Sequence, residues 1–181
     1  MITAYHTVED RENPDQIKLE GPFRCEREDA WLGYGYYFWD THEPWAHDWG
    51  KSAYRKKGYV VCRAMVTNNE NVMWDLYGNV GHNQEFIAAF ETLLTSGKYN
   101  SEEDILTSDV IDFLKVKGLF NYLAVRVGDM YNQMKTIALK HPDARGREAF
   151  MNVGERVQIC LYEKNELTLR DFSIIFPEIY R

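Results

Sequence analysis

A glycine-spaced run of aromatic residues constrains the fold of this chain most strongly. Residues 33–38 read Gly-Tyr-Gly-Tyr-Tyr-Phe, and residues 45–49 add a second aromatic group, Trp-Ala-His-Asp-Trp. Aromatic side chains favour strands, and glycine permits a tight turn or a close approach of the backbone to another segment. Asp40 and Thr41 can cap a following helix, whose first turn tolerates Pro44. We therefore predict a strand over residues 34–39 that leads directly into an aromatic-faced helix.

The rest of the chain alternates between strand and helix patterns. Further strands are predicted over residues 2–6, 59–66, 72–74, 122–127, 157–162 and 167–176, the last two as a closing pair. The run at 59–66 is nearly all apolar, which is typical of a central strand that is covered on both faces. The strands are separated by helical patterns, so the predicted fold class is α+β, with helices inserted between strands.

Four further segments have helical periodicity. They are a short turn over residues 16–19 that ends at Gly21, a helix with Phe86, Phe90 and Leu93 on one face, a helix with Leu106, Val110, Phe113 and Leu114, and a stretch over residues 130–139. Ser101 with Asp104 is the pattern of an N-terminal capping box, which we assign to the helix that carries Val110. Gly118 is predicted to end that helix.

The size and composition of the chain favour one domain over residues 1–181. With 181 residues, of which 45% are hydrophobic, the chain is long enough for a single core, and no repeat or linker divides it. An export signal and an apolar run of membrane-spanning length are both missing from the pattern. The odd number of widely spaced cysteines (Cys25, Cys62 and Cys160) indicates reduced thiols. We therefore expect a cytoplasmic protein with no membrane partner.

Charge and histidine spacing narrow the class of ligand. The net charge of −7 argues mildly against a nucleic-acid partner, although Arg145 and Arg147 could guide one. The histidines at positions 42, 47, 82 and 141 show no metal-ligand spacing, and the cysteines form no paired motif. We therefore expect no metal site.

Three elements of the chain resemble the NAD-binding half of ADP-ribosyltransferases of the diphtheria-toxin and poly(ADP-ribose)-polymerase type. They are Tyr5-His6-Thr7 on the first strand, the segment from Ile17 to Gly21, and the Gly-x-Gly-x-Tyr-Phe strand over residues 33–38 with the helix that carries Ala46. The resemblance covers about the first third of the chain, with a looser match at residues 158–162. It implies a split β-sheet core and NAD as co-substrate, cleaved at the nicotinamide bond.

The resemblance also implies roles for the matching residues. Tyr37 would form the floor under nicotinamide, since a flat cationic ring gains from an aromatic face. Trp49 is the nearest second aromatic, one residue beyond the family's usual spacing, and Tyr54 is the alternative; Trp49 could instead simply pack against Trp45. His6 would donate a hydrogen bond to a ribose hydroxyl on the adenine side of NAD. Thr7 replaces the family's glycine and can offer the same backbone groups to the nicotinamide amide.

The third marker of the family is a glutamate at the start of a late strand, and two residues compete for this role. Aligning the late strand on its apolar pattern places Gln158 at this position, whereas Glu155 lies three residues earlier. Because strand side chains alternate, Glu155 falls on the opposite face from Gln158 unless Gly154 bends the chain. A carboxylate can stabilise the developing cation, but an amide can only orient a hydroxyl. Gln158, Glu155 or neither remains open as the catalytic residue.

The resemblance implies a mono-ADP-ribosyltransferase, similar to bacterial or phage-related toxins and effectors. Its expected partners are NAD, a macromolecular acceptor and a neutralising antitoxin or other partner protein. A protein acceptor is favoured, and a nucleic acid stays open. The alternatives are an NAD glycohydrolase, an inactive fold that binds NAD, ADP-ribose or a protein, and an accidental resemblance in which the aromatic residues only build the core.

Overall fold

The computed structural model describes residues 1–129, 135–139 and 149–181. The strands are β1 (Ile2–Glu9), β2 (Tyr36–Asp40), β3 (Tyr59–Val66), β4 (Met73–Asp75), β5 (Ala124–Gly128), β6 (Lys135–Leu139), β7 (Ala149–Val153), β8 (Val157–Leu161) and β9 (Leu169–Phe176). The helices are α1 (Pro14–Glu20), α2 (Glu43–Ala53), α3 (Val80–Thr95) and α4 (Thr107–Val116), with 3-10 turns over Glu102–Asp104 and Glu178–Tyr180. The fold is therefore mixed α+β.

One sheet carries most of the strands, in the order β4-β5-β8-β2-β1-β3-β9. Neighbouring strands in this sheet are antiparallel except for β4 and β5, which are parallel. β6 and β7 form a separate antiparallel pair, with Ile137 opposite Met151. In the chain this pair follows β5 and precedes β8.

The sheet narrows between β1 and β2. β1 pairs with β3 along its whole length, from Ile2 opposite Val66 to Glu9 opposite Tyr59. Its pairing with β2 is limited to Ala4 opposite Asp40 and Tyr5 opposite Trp39. Beyond Tyr5 the two strands separate, and the gap between them positions the site described below.

Two hydrophobic clusters cover opposite faces of the strands. On one face, α3 and α4 pack against a buried group that includes Trp74, Val125 and Cys160. On the other face, Phe38, Ile159 and Leu161 pack with Ala64 and Met73 of neighbouring strands. The alternation predicted for residues 157–162 is thus present in the structure, because consecutive side chains of β8 enter different clusters.

The two glycines of the aromatic run have separate structural roles. Gly33 has φ +81°, and its N–H donates to the carbonyl of Ala30 in a tight turn. Gly35 lies against β8, where a Cβ atom would come within 2.7 Å of the carbonyl oxygen of Leu161 and would overlap the Cys160 sulfur. Their spacing therefore serves a turn followed by a close backbone contact.

Several sequence predictions are confirmed by the described elements. α1 ends at Gly21, α2 starts one residue before Pro44, and Phe86, Phe90 and Leu93 face one cluster. α4 ends before Gly118, which has φ +68°. All three cysteines are free, with Cys62 and Cys160 buried. Among the described helices, none combines the length and apolar character needed to cross a membrane.

The prediction of a helix over residues 130–139 is wrong where it can be checked. Residues 135–139 form strand β6, and residues 130–134 lie outside the described part of the chain. Pairing with β7, a strand that the sequence pattern did not reveal, decides the conformation of this segment. Cross-strand pairing is a tertiary effect, so it overrides a local helical period.

Three smaller predictions also differ from the structure. Ser101 and Asp104 do form a capping box, but it closes the 3-10 turn over Glu102–Asp104, whereas Asp109 accepts from the Leu106 N–H at the start of α4. The last two strands do not form a pair, since β8 lies between β5 and β2 and β9 lies beside β3. β3 is paired on both sides but is next to the edge strand rather than at the centre.

Candidate functional site

A cavity of about 820 Å³ opens where β1 and β2 separate. Six of the residues predicted to form a site contribute to its lining: His6, Thr7, Tyr37, Trp49, Tyr54 and Gln158. They come from β1, β2 and β8, from the second half of α2 and from the residue that caps its C-terminal end. The fold thus brings them together from distant parts of the chain. Glu155 is the exception, and it lines a separate cavity of about 300 Å³.

Tyr37 is held in place by both hydrogen-bonding functions of its hydroxyl. The hydroxyl donates to the carbonyl of Gly33 at 2.8 Å and accepts from the N–H of Leu32 at 3.0 Å. Burial raises the pKa of Tyr37 well above its usual value, so the phenol stays protonated. The turn that precedes β2 therefore fixes the aromatic ring of Tyr37 at the cavity. Its hydroxyl is used in hydrogen bonds to the backbone of this turn.

His6 is buried and neutral. Burial lowers its pKa to about 4, which outweighs the opposing hydrogen bond with the carbonyl of Tyr37. Nδ1 lies 2.7 Å from that carbonyl oxygen, and a carbonyl can only accept, so Nδ1 carries the proton. Nε2 is then an acceptor, and it accepts from the N–H of Phe23 at 3.4 Å. Toward a ribose hydroxyl His6 would therefore act as an acceptor, which reverses the direction expected from the sequence.

The backbone of Thr7 faces the gap between the strands. The N–H of Asp10 donates to Gly58 on the β3 side, and the N–H of Thr41 donates to Thr3 on the β2 side. Because hydrogen-bonding direction alternates along a strand, the N–H and C=O of Thr7 point toward β2. The ladder ends at Tyr5, and the Tyr37 carbonyl accepts from His6 instead. The Thr7 side chain donates to Ala46 at 2.9 Å and leaves the backbone groups open to the cavity.

Aromatic side chains from α2 and β2 form a second wall. The rings of Trp49 and Trp39 meet at 6.4 Å between centroids with an interplanar angle of 55°, and Trp49 remains 37% exposed. Trp49 thus packs on Trp39 rather than on Trp45 and keeps part of its ring at the cavity. Tyr54, at the end of α2, is half-buried, and its burial raises its pKa.

Gln158 is oriented by two neighbours in the cavity. Its Oε1 accepts from the indole N–H of Trp31 at 3.1 Å, and its Nε2 donates to Asp129 Oδ1 at 3.3 Å. Asp129 is 5% exposed and forms an ion pair with Arg156, Nε to Oδ2, at 3.2 Å. A carboxylate therefore lies directly behind the amide that occupies the expected catalytic position.

Sequence reasoning did not identify Trp31, Asp129 or Arg156 as site residues, although all three line the cavity. The guanidinium of Arg156 lies over the rings of Trp39 and Trp45, at 4.6 and 5.3 Å from their centroids. Asp129 directly follows β5, two residues beyond the end of the strand predicted over residues 122–127. Its proximity to Gln158 depends on the pairing of β5 with β8, which no local pattern indicates.

Glu155 lies on the opposite face of the sheet. Gly154 does have a positive φ of +72°, but the bend leaves Glu155 beside His42, Tyr77 and Arg126 instead of bringing it to Gln158. Arg126 bonds Asp40 at 2.6 Å and Asp75 at 3.0 Å there. Thus the structure brings one of the two competing residues, Gln158, to the larger cavity.

The chemistry available in the larger cavity is recognition of a flat ring and of hydroxyl groups. Tyr37 and Trp49 present aromatic surface, Thr7 presents a backbone donor and acceptor, and Gln158 presents an amide with a carboxylate behind it. Within the described residues, no three His, Cys, Asp or Glu side chains are grouped so that they could hold a metal ion.

Comparisons of this chain with protein-family profiles, with curated proteins and with solved structures find no match. The inference about function therefore rests on the sequence resemblance together with the geometry and chemistry of the site.

Proposed function

We propose that this protein is an NAD-dependent mono-ADP-ribosyltransferase with an ADP-ribosyltransferase-like fold. One observation carries the proposal: the larger cavity collects His6, Thr7, Tyr37, Trp49 and Gln158, which the resemblance singled out independently of any structure. Residues that only built the core would have no reason to converge on one open cavity. Its volume of about 820 Å³ lies within the range of about 300–1,000 Å³ for small-molecule sites.

In the proposed binding mode, nicotinamide lies against Tyr37, with Trp49 as the second aromatic wall. The backbone N–H and C=O of Thr7 bond the nicotinamide amide, because they point into the gap between β1 and β2. Nε2 of His6 accepts from a ribose hydroxyl in place of its 3.4 Å bond with Phe23. Each contact uses a group whose orientation is already set by the protein, which reduces the entropic cost of binding.

In the proposed reaction, the bond between ribose C1′ and the nicotinamide nitrogen breaks, and its electron pair leaves with neutral nicotinamide. The ribose is left with positive charge, and an acceptor nucleophile attacks C1′ and releases a proton. Gln158 orients a ribose hydroxyl, while the Asp129 carboxylate, 3.3 Å from Gln158, supplies nearby negative charge that Arg156 partly balances. In this proposal Glu155 takes no part, because it lines the separate, smaller cavity.

A second candidate is a module that binds NAD or ADP-ribose without turnover. The observation in its favour is the amide of Gln158, which is bonded to Trp31 and Asp129 and carries no charge. Tight binding without release of nicotinamide would select this candidate. Release without label on a macromolecule would select NAD hydrolysis.

The test is incubation of the purified protein with labelled NAD and a cell lysate, followed by separate protease and nuclease digestion. We expect nicotinamide release and labelled macromolecules, sensitive to protease if the acceptor is a protein. Tyr37→Ala and Gln158→Ala should each reduce release by at least about tenfold per folded molecule, since each removes a group in the cavity. The matched control is Glu155→Gln, which should retain release.

Two outcomes would contradict the transferase proposal. One is the absence of nicotinamide release from the wild-type protein. The other is an equal loss of nicotinamide release in Glu155→Gln and Gln158→Ala, because the larger cavity would then not be the place of the chemistry. Urea unfolding of each variant separates loss of chemistry from loss of the fold.

A further inference from the structure

The larger cavity continues well beyond the ring-binding end at Tyr37. His6, Thr7, Val8 and Glu9 line it in succession along β1, and Asn13, Gln16 and Ile17 extend it to α1. At about 3.3 Å per strand residue, the lining along β1 alone covers about 10 Å. The cavity is thus elongated in the direction away from Tyr37 and can take more of a dinucleotide than its nicotinamide.

Most charged side chains on the rim of this cavity are already paired. Arg27 binds Asp29 through two bonds of 2.8 and 2.6 Å. Arg11 binds Glu9 at 2.7 Å, and Glu9 also binds Lys57. These pairs neutralise one another, so none offers a free cation to an anionic ligand without first breaking a bond.

Arg24 differs from the other arginines of the rim. It is exposed, it lines the cavity, and within residues 1–129, 135–139 and 149–181 it has no ion-pair partner within 4 Å. Burial raises the pKa of Cys160 to about 12, and the charge of Lys115, a hydrogen bond with Tyr37 and the charge of Arg24 oppose this rise. Arg24 is thus close enough for its charge to act on Cys160, which lies opposite Tyr37 in the sheet.

The backbone on both sides of Arg24 is anchored to the site. The N–H of Phe23 donates to Nε2 of His6, and Cys25 exchanges two backbone hydrogen bonds with Gly35, at 2.7 and 3.2 Å. The segment therefore runs along the lining of the cavity from β1 toward the residues that precede β2. In the chain, Arg24 lies between Phe23, which bonds the residue expected at the ribose, and Cys25, which bonds Gly35, two residues before Tyr37; the linking diphosphate of NAD joins the two parts of the ligand expected at His6 and at Tyr37.

We propose that Arg24 binds the diphosphate of the dinucleotide. The inference rests on the proposed NAD site. A guanidinium suits this task because its planar N–H groups match two phosphate oxygens at once. An arginine that has no ion-pair partner in the described part of the chain also gives a reason for ligand affinity in a protein whose net charge of −7 otherwise repels phosphate.

The test measures binding of ADP-ribose, adenosine and nicotinamide by calorimetry and NMR titration. Arg24→Ala should weaken ADP-ribose binding by about 10- to 100-fold, the loss expected for hydrogen bonds to a charged group. Arg24→Lys should lose less, because it keeps the charge without the planar fork. Adenosine and nicotinamide carry no phosphate, so their affinities should not change.

The matched control is the double variant Arg27→Gln/Asp29→Asn, which removes a neighbouring ion pair at constant net charge and should bind ADP-ribose as the wild type does. Unchanged ADP-ribose affinity in Arg24→Ala, an equal loss for adenosine and nicotinamide, or no ADP-ribose binding by the wild type would each overturn the inference. ADP-ribose binding that depends on Arg24 in a protein that never cleaves NAD would instead overturn the transferase proposal and leave this inference standing.

Discussion

Single side chains in the larger cavity are held by bonds within the protein before any ligand arrives. The hydroxyl of Tyr37 bonds Leu32 and Gly33, and Nδ1 of His6 bonds the carbonyl of Tyr37. The two residues that define the sequence resemblance are thus joined by a direct hydrogen bond. Preorganisation of this kind fixes the tautomer of His6 and the position of the ring on which nicotinamide would lie.

The buried, neutral His6 should make the protein less stable as the pH falls. Its pKa is lowered from 6.5 to about 4 in the folded state, so between these values the unfolded chain binds more protons. The free energy of unfolding should therefore decrease from pH 6.5 down to about pH 4, by on the order of 3 kcal/mol from this residue. Urea unfolding across this range measures the effect.

His6→Asn is the matched variant for this prediction. Its amide can still donate to the Tyr37 carbonyl, but it does not titrate, so its stability should depend less on pH between 4 and 6.5 than that of the wild type. Carboxylates titrate in both proteins and cancel in the comparison. Parallel stability profiles for the two proteins would show that His6 is not the buried neutral group described here.

At the level of elements, the site exists because β1 and β2 pair over a short distance and then separate. Tyr5 is opposite Trp39, but the ladder stops there, although both strands continue. The His6 side chain takes the Tyr37 carbonyl that the Thr7 N–H would otherwise reach. A side chain thus replaces a backbone partner, and the displaced backbone groups of Thr7 become available to a ligand.

The separation of these strands predicts a local difference in amide hydrogen exchange. The N–H of Tyr5 lies in the ladder, whereas that of Thr7 faces the gap, so Thr7 should exchange at least about tenfold faster. Saturating nicotinamide should slow exchange at Thr7 and leave Tyr5 unchanged. NMR exchange measurements test both parts, and equal protection of the two amides in the free protein would contradict the proposed gap.

Across the whole molecule, the larger cavity and the ion pairs of Arg126 lie at separate places on the sheet. The larger cavity is lined from both faces where β1 and β2 separate, whereas Arg126 joins Asp40 and Asp75 beside the smaller cavity. Asp40 and Asp75 come from β2 and β4, so Arg126 of β5 ties three strands together. Its side chain is 16% exposed, which makes the loss of one partner costly.

Arg126→Gln should therefore reduce stability without changing the chemistry. Removing the cation leaves two mostly buried carboxylates unpaired, and we expect a loss of about 3–5 kcal/mol in the free energy of unfolding. NAD turnover per folded molecule should be retained. The control is Lys51→Gln, which removes an exposed pair with Asp48 at 3.7 Å and should cost less than about 1 kcal/mol. Similar losses in the free energy of unfolding of the two variants would contradict the proposed role of Arg126 in linking the three strands.

Local patterns predicted the elements whose conformation depends on their own side chains. The aromatic strand predicted over residues 34–39 forms at 36–40, and the helix that follows it and the apolar strand at 59–66 are also present, because hydrophobic period is a local property. The cap predicted at Asp40 and Thr41 does not form: His42 is the N-cap of α2, without a side-chain bond. The segment at 135–139 shows the limit. Its helical period gives way to a strand because β7 supplies a pairing partner that no local pattern reveals.

Local spacing in the amino-acid sequence accounts for the turn at Gly33, the close backbone approach at Gly35 and the place of Tyr37 in the strand that follows, because each depends on residues that are neighbours in the chain. It took the three-dimensional fold to show that Gln158, and not Glu155, lines the larger cavity and that Asp129 lies behind its amide. The reason is physical: facing direction follows from strand register and from the bend at Gly154, and proximity between β5 and β8 follows from pairing across the sheet. Both are long-range properties of the fold.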